Sequence, residues 1–165
     1  VYVGTFAGDE PVGIILDAAR RLPDIKFYIL GDTELARKEW LETAPDNVTF
    51  TGYILKETYW NRLFSARAII VLTTHEHSLL GGAMDGLYID KPVILSDQPT
   101  LREYFSKGAV LIPNTGDGMH DGIQELLANE EAYKRGMHEL RLEAETRWKQ
   151  NFEHLKAIIH GDTKQ

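Results

Sequence analysis

Cysteine is absent from this chain, which removes disulfide frameworks and thiolate metal sites from consideration and fits a reducing compartment. Long apolar runs are also missing: none approaches the roughly 18 residues that would span a bilayer. Basic residues are in the minority, 18 Lys and Arg against 25 Asp and Glu, for a formal charge of −7. Nucleic acids and anionic membrane faces engage proteins through a basic footprint, so neither is expected as the main partner. Several catalytic signatures are absent as well. Gly4-Thr5-Phe6-Ala7-Gly8 has neither the glycine spacing of a dinucleotide fingerprint nor the Gly-Lys-Ser/Thr of a P-loop. No Gly-x-Ser-x-Gly elbow occurs, and no Asp-x-Asp triplet offers an anchor for Mg²⁺-held pyrophosphate. No signal peptide is visible, and the chain opens at Val1 directly in a strand-like segment. The expectation is a piece of something longer.

What is present is an ordinary globular composition, 43% hydrophobic and 26% charged, in a length that suits one domain, here residues 1–165. Short apolar runs bounded by turn residues alternate with helical patterns. Strands are expected at Val1–Gly4, Ile25–Leu30, Asn47–Thr51, Ala68–Thr73, Pro92–Leu95 and Ala109–Ile112. Helices are expected at Glu10–Leu22 with Pro11 in the first turn, then Glu34–Glu42, Lys56–Ala66, Leu79–Tyr88, Thr100–Phe105 and His120–Leu127. A long charged amphipathic region runs from Glu130 to about Ile159, with a candidate break near Gly136. Alternation of this kind is the signature of βαβ units and a parallel sheet. The unbroken apolar run Ile69-Ile70-Val71-Leu72 fits a strand covered by helices on both faces. The fold class expected is a doubly wound, mostly parallel six-stranded α/β sheet.

Ligands of such sheets bind beyond the strands' C-terminal ends, where strand order reverses. The most informative loop there is Thr73-Thr74-His75-Glu76-His77-Ser78-Leu79-Leu80-Gly81-Gly82. It ends a buried strand and opens a helix with small residues, and a helix start offers free N–H groups and a positive dipole end to phosphate. The same residues equally fit a structural role, with Ser78 as N-cap and the glycines permitting tight packing. Asp85, inside this helix, either meets ribose hydroxyls or faces solvent. His75 and His77 lack a third ligand nearby for a metal; His77 fits better as a donor to a sugar or phosphate oxygen. Gly52-Tyr53-Ile54, closing the third strand, either reads a base edge or is a glycine turn with a surface tyrosine. Trp148, Phe152 and Leu155 at helical spacing read as a packing stripe, against this domain or a missing one.

These residues, in order, resemble a family. Val3-Gly4, Ala18-Ala19-Arg20-Arg21-Leu22-Pro23-Asp24-Ile25, Ile29-Leu30-Gly31-Asp32, Pro45-Asp46-Asn47-Val48-Thr49-Phe50-Thr51-Gly52-Tyr53, and Lys91-Pro92-Val93-Ile94-Leu95-Ser96-Asp97 with Leu101-Arg102-Glu103 are similar to the C-terminal domain of retaining GT-B glycosyltransferases of group 1. The resemblance runs from Val1 to about Leu155, and it is carried by order and spacing rather than by one motif. It implies a Rossmann-like half of a two-domain enzyme that binds a nucleoside-diphosphate sugar, with the acceptor half missing from this chain. The family's two glutamates, separated by seven residues, fall on His77 and Asp85 when counted back from Lys91-Pro92. Asp85 would then hold the ribose, and His77 becomes the candidate catalytic residue. Leu80, Gly81 and Gly82 would meet the distal phosphate, Gly52, Tyr53 and Ile54 the base, and Gly4 and Thr5 the donor from the first strand.

Two departures stand out. Thr5 takes the place of the family's diphosphate-binding arginine, and Glu10, Pro11 and Val12 occupy the region of its lysine. Each lost cation would be worth about 1.5–3 kcal/mol as a charged hydrogen bond. Compensation by the other domain, a different donor and lost activity all remain open, so a non-catalytic binding module and the half of a sugar-nucleotide epimerase stand as alternatives. No metal or other cofactor is expected, and the setting implied is cytoplasmic, with any membrane association left to the missing half. The sequence is silent on oligomeric state.

Overall fold

The computed structural model describes residues 1–160; the last five positions of the 1–165 range lie outside the described residues. Among the described residues, six strands form one sheet in the order β3-β2-β1-β4-β5-β6, every pairing parallel. The strands are β1 (Tyr2–Val3), β2 (Phe27–Leu30), β3 (Val48–Phe50), β4 (Ile69–Val71), β5 (Val93–Ser96) and β6 (Ala109–Ile112). The helices are α1 (Gly13–Arg21), α2 (Lys38–Glu42), α3 (Lys56–Ser65), α4 (Gly81–Tyr88), α5 (Pro99–Tyr104), α6 (Gly116–Ala128) and α7 (Glu130–His160). The chain winds outward from β1 to β3, returns to β4 beside β1, and winds outward again to β6. The doubly wound expectation holds.

Side-chain alternation along each strand sorts the core into two layers. Ile70, Leu72 and Ile94 join Ile15, Leu16 and Ala19 of α1 and Met119 and Ile123 of α6 on one face. Ile69, Val71, Val93 and Leu95 meet Leu63 of α3, Ala83 and Leu87 of α4, Leu101 of α5 and Met137 and Leu140 of α7 on the other. Each such valine, leucine, isoleucine or methionine side chain, fully buried, contributes about 1.5–3 kcal/mol. Asn47 ties one turn together: its amide donates to the carbonyls of Ala19, Leu22 and Ile25 at 3.0, 2.9 and 2.8 Å. One side chain thereby seals the end of α1 and fixes the entry of β3.

Several element boundaries differ from the expectation, each for a local reason. Pro11 is not in the first turn of α1, which begins at Gly13, because Glu10 is drawn back onto the loop before it. Residues 33–36 form turns, with Leu35 donating to Asp32 O and Ala36 to Thr33 O, so α2 starts only at Lys38. Conversely α6 begins four residues before His120, because Thr115 Oγ1 caps it by accepting from Gly118 N at 3.0 Å. Gly136 does not break α7. It lets the helix approach the loop before β6, where a Cβ on Gly136 would lie 2.7 Å from Gly108 N. The Trp148, Phe152 and Leu155 stripe does not pack on the sheet layers; all three are exposed, with Trp148 stacked on Phe152 at 5.1 Å.

Gly108 is the tighter half of that approach: it has φ +70 and a Cβ there would collide with the backbone of Met137. A left-handed non-glycine residue costs about 1–2 kcal/mol before any clash. Gly108→Ala is therefore expected to cost about 3 kcal/mol or more. The check is the urea midpoint, with exposed Gly8, where a Cβ meets nothing within 4 Å, as control. Equal midpoints for the two variants would refute the close approach.

Candidate functional site at the strand-order reversal

Strand order reverses between β1 and β4, which pair although they are not consecutive. In doubly wound sheets the loops leaving two such strands at the C-terminal edge flank the ligand crevice. The walls are close. A Cβ on Gly82 of α4 would lie 2.9 Å from Val3 Cβ of β1, so only glycine lets this helix start sit directly on the central strand. Thr74 N donates to Asp9 O at 2.8 Å, tying the two loops together.

One wall is the start of α4. Ser78 does not cap it: the N-cap is Leu80, in extended backbone (φ −93, ψ 128), and no side chain bonds to the helix end. Leu80 O accepts from Ala83 N and Met84 N, while the amides of Gly81 and Gly82 come earlier and point out of the helix end. Gly81 is exposed, and a Cβ there meets nothing within 4 Å. The result is an open, partially positive helix end. His77 is exposed in the loop before it.

Asp85 is half-buried and accepts from the Tyr59 hydroxyl at 2.5 Å. Tyr59, on α3, had no signal in the sequence beyond being an aromatic in a helix. The bond fixes the carboxylate of α4 against α3 beside the Gly52–Ile54 turn, whose Ile54 packs in the same apolar layer as Leu80 and Met84. Gly52 has φ +67, and Tyr53 projects into solvent at 83% exposure.

The opposite wall carries carboxylates. Glu10 accepts from four donors of the β1–α1 loop: Tyr2 Oη at 2.7 Å, Thr5 N at 2.9 Å, Thr5 Oγ1 at 2.9 Å and Phe6 N at 2.8 Å. Thr5, a candidate donor contact, thus has an internal partner for both its amide and its hydroxyl. Asp9 accepts from Thr73 Oγ1 at 2.6 Å, and that bond, opposed by partial burial and aided by His75, holds its carboxyl below the ordinary range. His75 Nδ1 lies 3.8 Å from Asp9. Beneath the crevice a buried network joins three strand ends: Thr73 N donates to Ser96 Oγ, Ser96 Oγ to Asn114 Oδ1, and Asn114 Nδ2 to Thr73 O, at 2.9, 2.6 and 2.9 Å. Asp9, Thr73, Ser96 and Asn114 lie far apart in sequence, and no local motif joins them. Among the described residues no helix is long and apolar enough to cross a membrane.

Residues 1–129 match the family described as "Glycosyl transferases group 1". No curated protein matches the chain. Among solved structures it is similar to sucrose-phosphate synthase from Thermosynechococcus elongatus, with TM-score 0.72 and 21% identity over 93% of this chain and 45% of that one. It is similar also to a glycosyltransferase from Rickettsia africae (TM-score 0.74, 12% identity, 96% of this chain and 48% of that one). The catalytic domain of cholesterol-α-glucosyltransferase from Helicobacter pylori gives TM-score 0.67 and 15% identity over 88% of this chain and 98% of that one. At these identities the likeness is one of fold. The chain spans about half the length of the first two structures.

Tyr2 and Tyr59 both hold their protons above the ordinary value of 10.0, through burial first and then through Glu10 and Asp85 respectively. A pKa raised in the folded state contributes stability that is present below the unfolded value and is lost as pH rises past it. Through these two groups urea midpoints are expected to fall above about pH 10. The double variant Tyr2→Phe, Tyr59→Phe should flatten that alkaline limb; an unchanged slope would overturn the assignment.

Proposed function

We propose, for a chain that belongs to the group 1 glycosyl transferases, that it is the donor-binding C-terminal half of a two-domain retaining enzyme. It would hold a nucleoside-diphosphate sugar for transfer of the glycosyl group to a hydroxyl acceptor in glycan synthesis. The observation that carries this reading is the uncapped start of α4, seated against β1 where strand order reverses. Developing negative charge on a departing diphosphate is stabilised by donors already aimed at it in a water-poor cleft. Amides of Leu80, Gly81 and Gly82 supply such donors without a metal, so none is proposed. His77, one turn of loop away, would donate to a sugar or phosphate oxygen.

Asp85 would accept from the ribose, with Tyr59 holding its carboxylate in place. The Gly52–Ile54 turn would meet the base, Tyr53 lying over it. Gly4 and Thr5 would border the donor on the β1 side. The acceptor site and the closed cleft belong to a second α/β half, and the setting proposed is cytoplasmic. A second reading, a binding module that keeps the fold without turnover, is favoured by one observation: the Glu10 carboxylate accepts from Thr5 N and Phe6 N, in the Glu10, Pro11 and Val12 region where the resemblance would put a diphosphate-binding lysine.

Titration with UDP and GDP, followed by amide NMR and calorimetry, separates the two. Saturable shifts at Gly81, Gly82 and Asp85 are expected, and silence with both nucleotides would favour the module. Gly81→Asp tests the helix end directly. The site is exposed and a side chain fits there, and a carboxylate in the first turn stabilises a helix by about 0.3–1 kcal/mol. This variant should stay folded, with an unchanged or raised urea midpoint, while nucleotide affinity falls about tenfold or more. Undiminished affinity would place the diphosphate elsewhere. The isolated chain is expected to show no transferase turnover, since placement of the acceptor needs the other half; a sugar-transfer assay on the 165 residues alone checks this.

A further inference from the structure

The β1–α1 loop is built as an anion site. Phe6 adopts φ +60, a left-handed conformation that costs a non-glycine residue about 1–2 kcal/mol. That turn points the amides of Thr5 and Phe6 into one concavity, the backbone arrangement that in other proteins binds phosphate. The conformation is held from behind by the burial of the Phe6 ring, which packs on Trp40 and Phe50 at centroid distances of 6.4 and 6.1 Å. The concavity already contains its anion, the Glu10 carboxylate, with one oxygen 2.9 Å from Thr5 N and 2.8 Å from Phe6 N. The Thr5 and Tyr2 hydroxyls complete the set. Gly4 makes room for it: a Cβ there would collide with both the Tyr2 hydroxyl and the Glu10 carboxylate.

Gly4 follows Val3, against which Gly82 of α4 is packed, so the filled concavity and the open helix end border the same crevice. We propose that Glu10 is a specificity-determining residue: its carboxylate fills the amide concavity of the β1–α1 loop and closes that side of the crevice to phosphate. A phosphate-bearing ligand is then held from the α4 side alone. A second phosphate group reaching toward β1 meets a carboxylate in place of amides. The ligand class selected carries its negative charge compactly at the α4 start and presents a neutral, hydroxyl-rich portion, such as a sugar, toward Glu10 and Asp9. The choice of ligand rests on the donor-site reading above; the occupancy of the concavity does not.

Inorganic pyrophosphate is the probe that separates the two, because it needs neither base nor sugar. In the wild-type chain the Thr5 and Phe6 amide resonances should stay unmoved as pyrophosphate is added. In Glu10→Ala they should shift, with an apparent affinity at least about tenfold tighter than wild type. Glu10→Gln keeps the size and can still bond to Thr5, Phe6 and Tyr2, so it guards against a fold lost in the alanine variant; a gain of about threefold is expected there. Asp24→Asn, which removes one exposed negative charge at the opposite end of the sheet, should leave affinity unchanged. Thr5 and Phe6 shifts in the wild type, or identical affinities in wild type and both Glu10 variants, would overturn the proposal. A nucleotide titration that fails in the wild type while the Glu10 variants gain pyrophosphate binding defeats the donor-site reading and leaves this inference standing.

Discussion

The pairing of β1 with β4 is the constraint on which the rest of this structure depends. It is short, with Tyr2 opposite Ile70 and Ile70 N donating to Val1 O at 2.7 Å. Yet it joins the two halves of the sheet, and it joins them back to front. Because the chain winds outward in opposite directions from this seam, the helices that follow β1 and β4 lie on opposite faces. The crevice follows from that divergence, since a parallel sheet with right-handed crossovers has no other way to change direction. The seam must also stay thin, which is why Gly82 and not a larger residue meets Val3.

The two walls of the crevice differ in electrical character. On the α4 side, main-chain amides end a helix with no side chain over them. On the β1 side, comparable amides are already satisfied by Glu10, with Asp9 next to it bonded to Thr73. The Thr73–Ser96–Asn114 network beneath lets both loops stand on fixed strand ends. Buried polar groups of this kind are stable only when every member is paired, and among the described residues no buried side-chain nitrogen or oxygen lacks a partner.

Rigidity on one side coexists with an unpartnered surface on another. α7 is anchored through Met137 and Leu140 and through Arg141, which donates to Asp90 at 2.6 Å. Beyond Ala144 its large apolar side chains, Trp148, Phe152, Leu155, Ile158 and Ile159, are exposed. The anchor is what allows Gly136 to sit inside a continuous helix: packing against Gly108 offsets the roughly 1 kcal/mol that a mid-helix glycine costs relative to alanine.

The fold was legible in the sequence because its signals are local and repeated. Six apolar runs, each closed by a turn residue and followed by a helical stripe, specify a wound parallel sheet, and helix starts erred where a side chain or a backbone turn took the first residues. Thr115 capping α6 and Glu10 abandoning α1 are such cases. The candidate residues Gly81, Gly82 and Asp85 fall within one strand–loop–helix unit, so their order along the chain already put them on one helix. Everything that depends on groups distant in the chain was invisible: Tyr59 on Asp85, Asp9 on Thr73, Asn114 beneath the loop. Glu10 shows the boundary most clearly. Its position in the sequence revealed a missing cation, but only the left-handed turn at Phe6 and the space over Gly4 decided that its carboxylate would fill the loop's own anion site. Hydrogen bonds are directional over about 3 Å, so such partnerships are set by where the folded backbone brings two groups together, and periodicity along the chain carries no record of that.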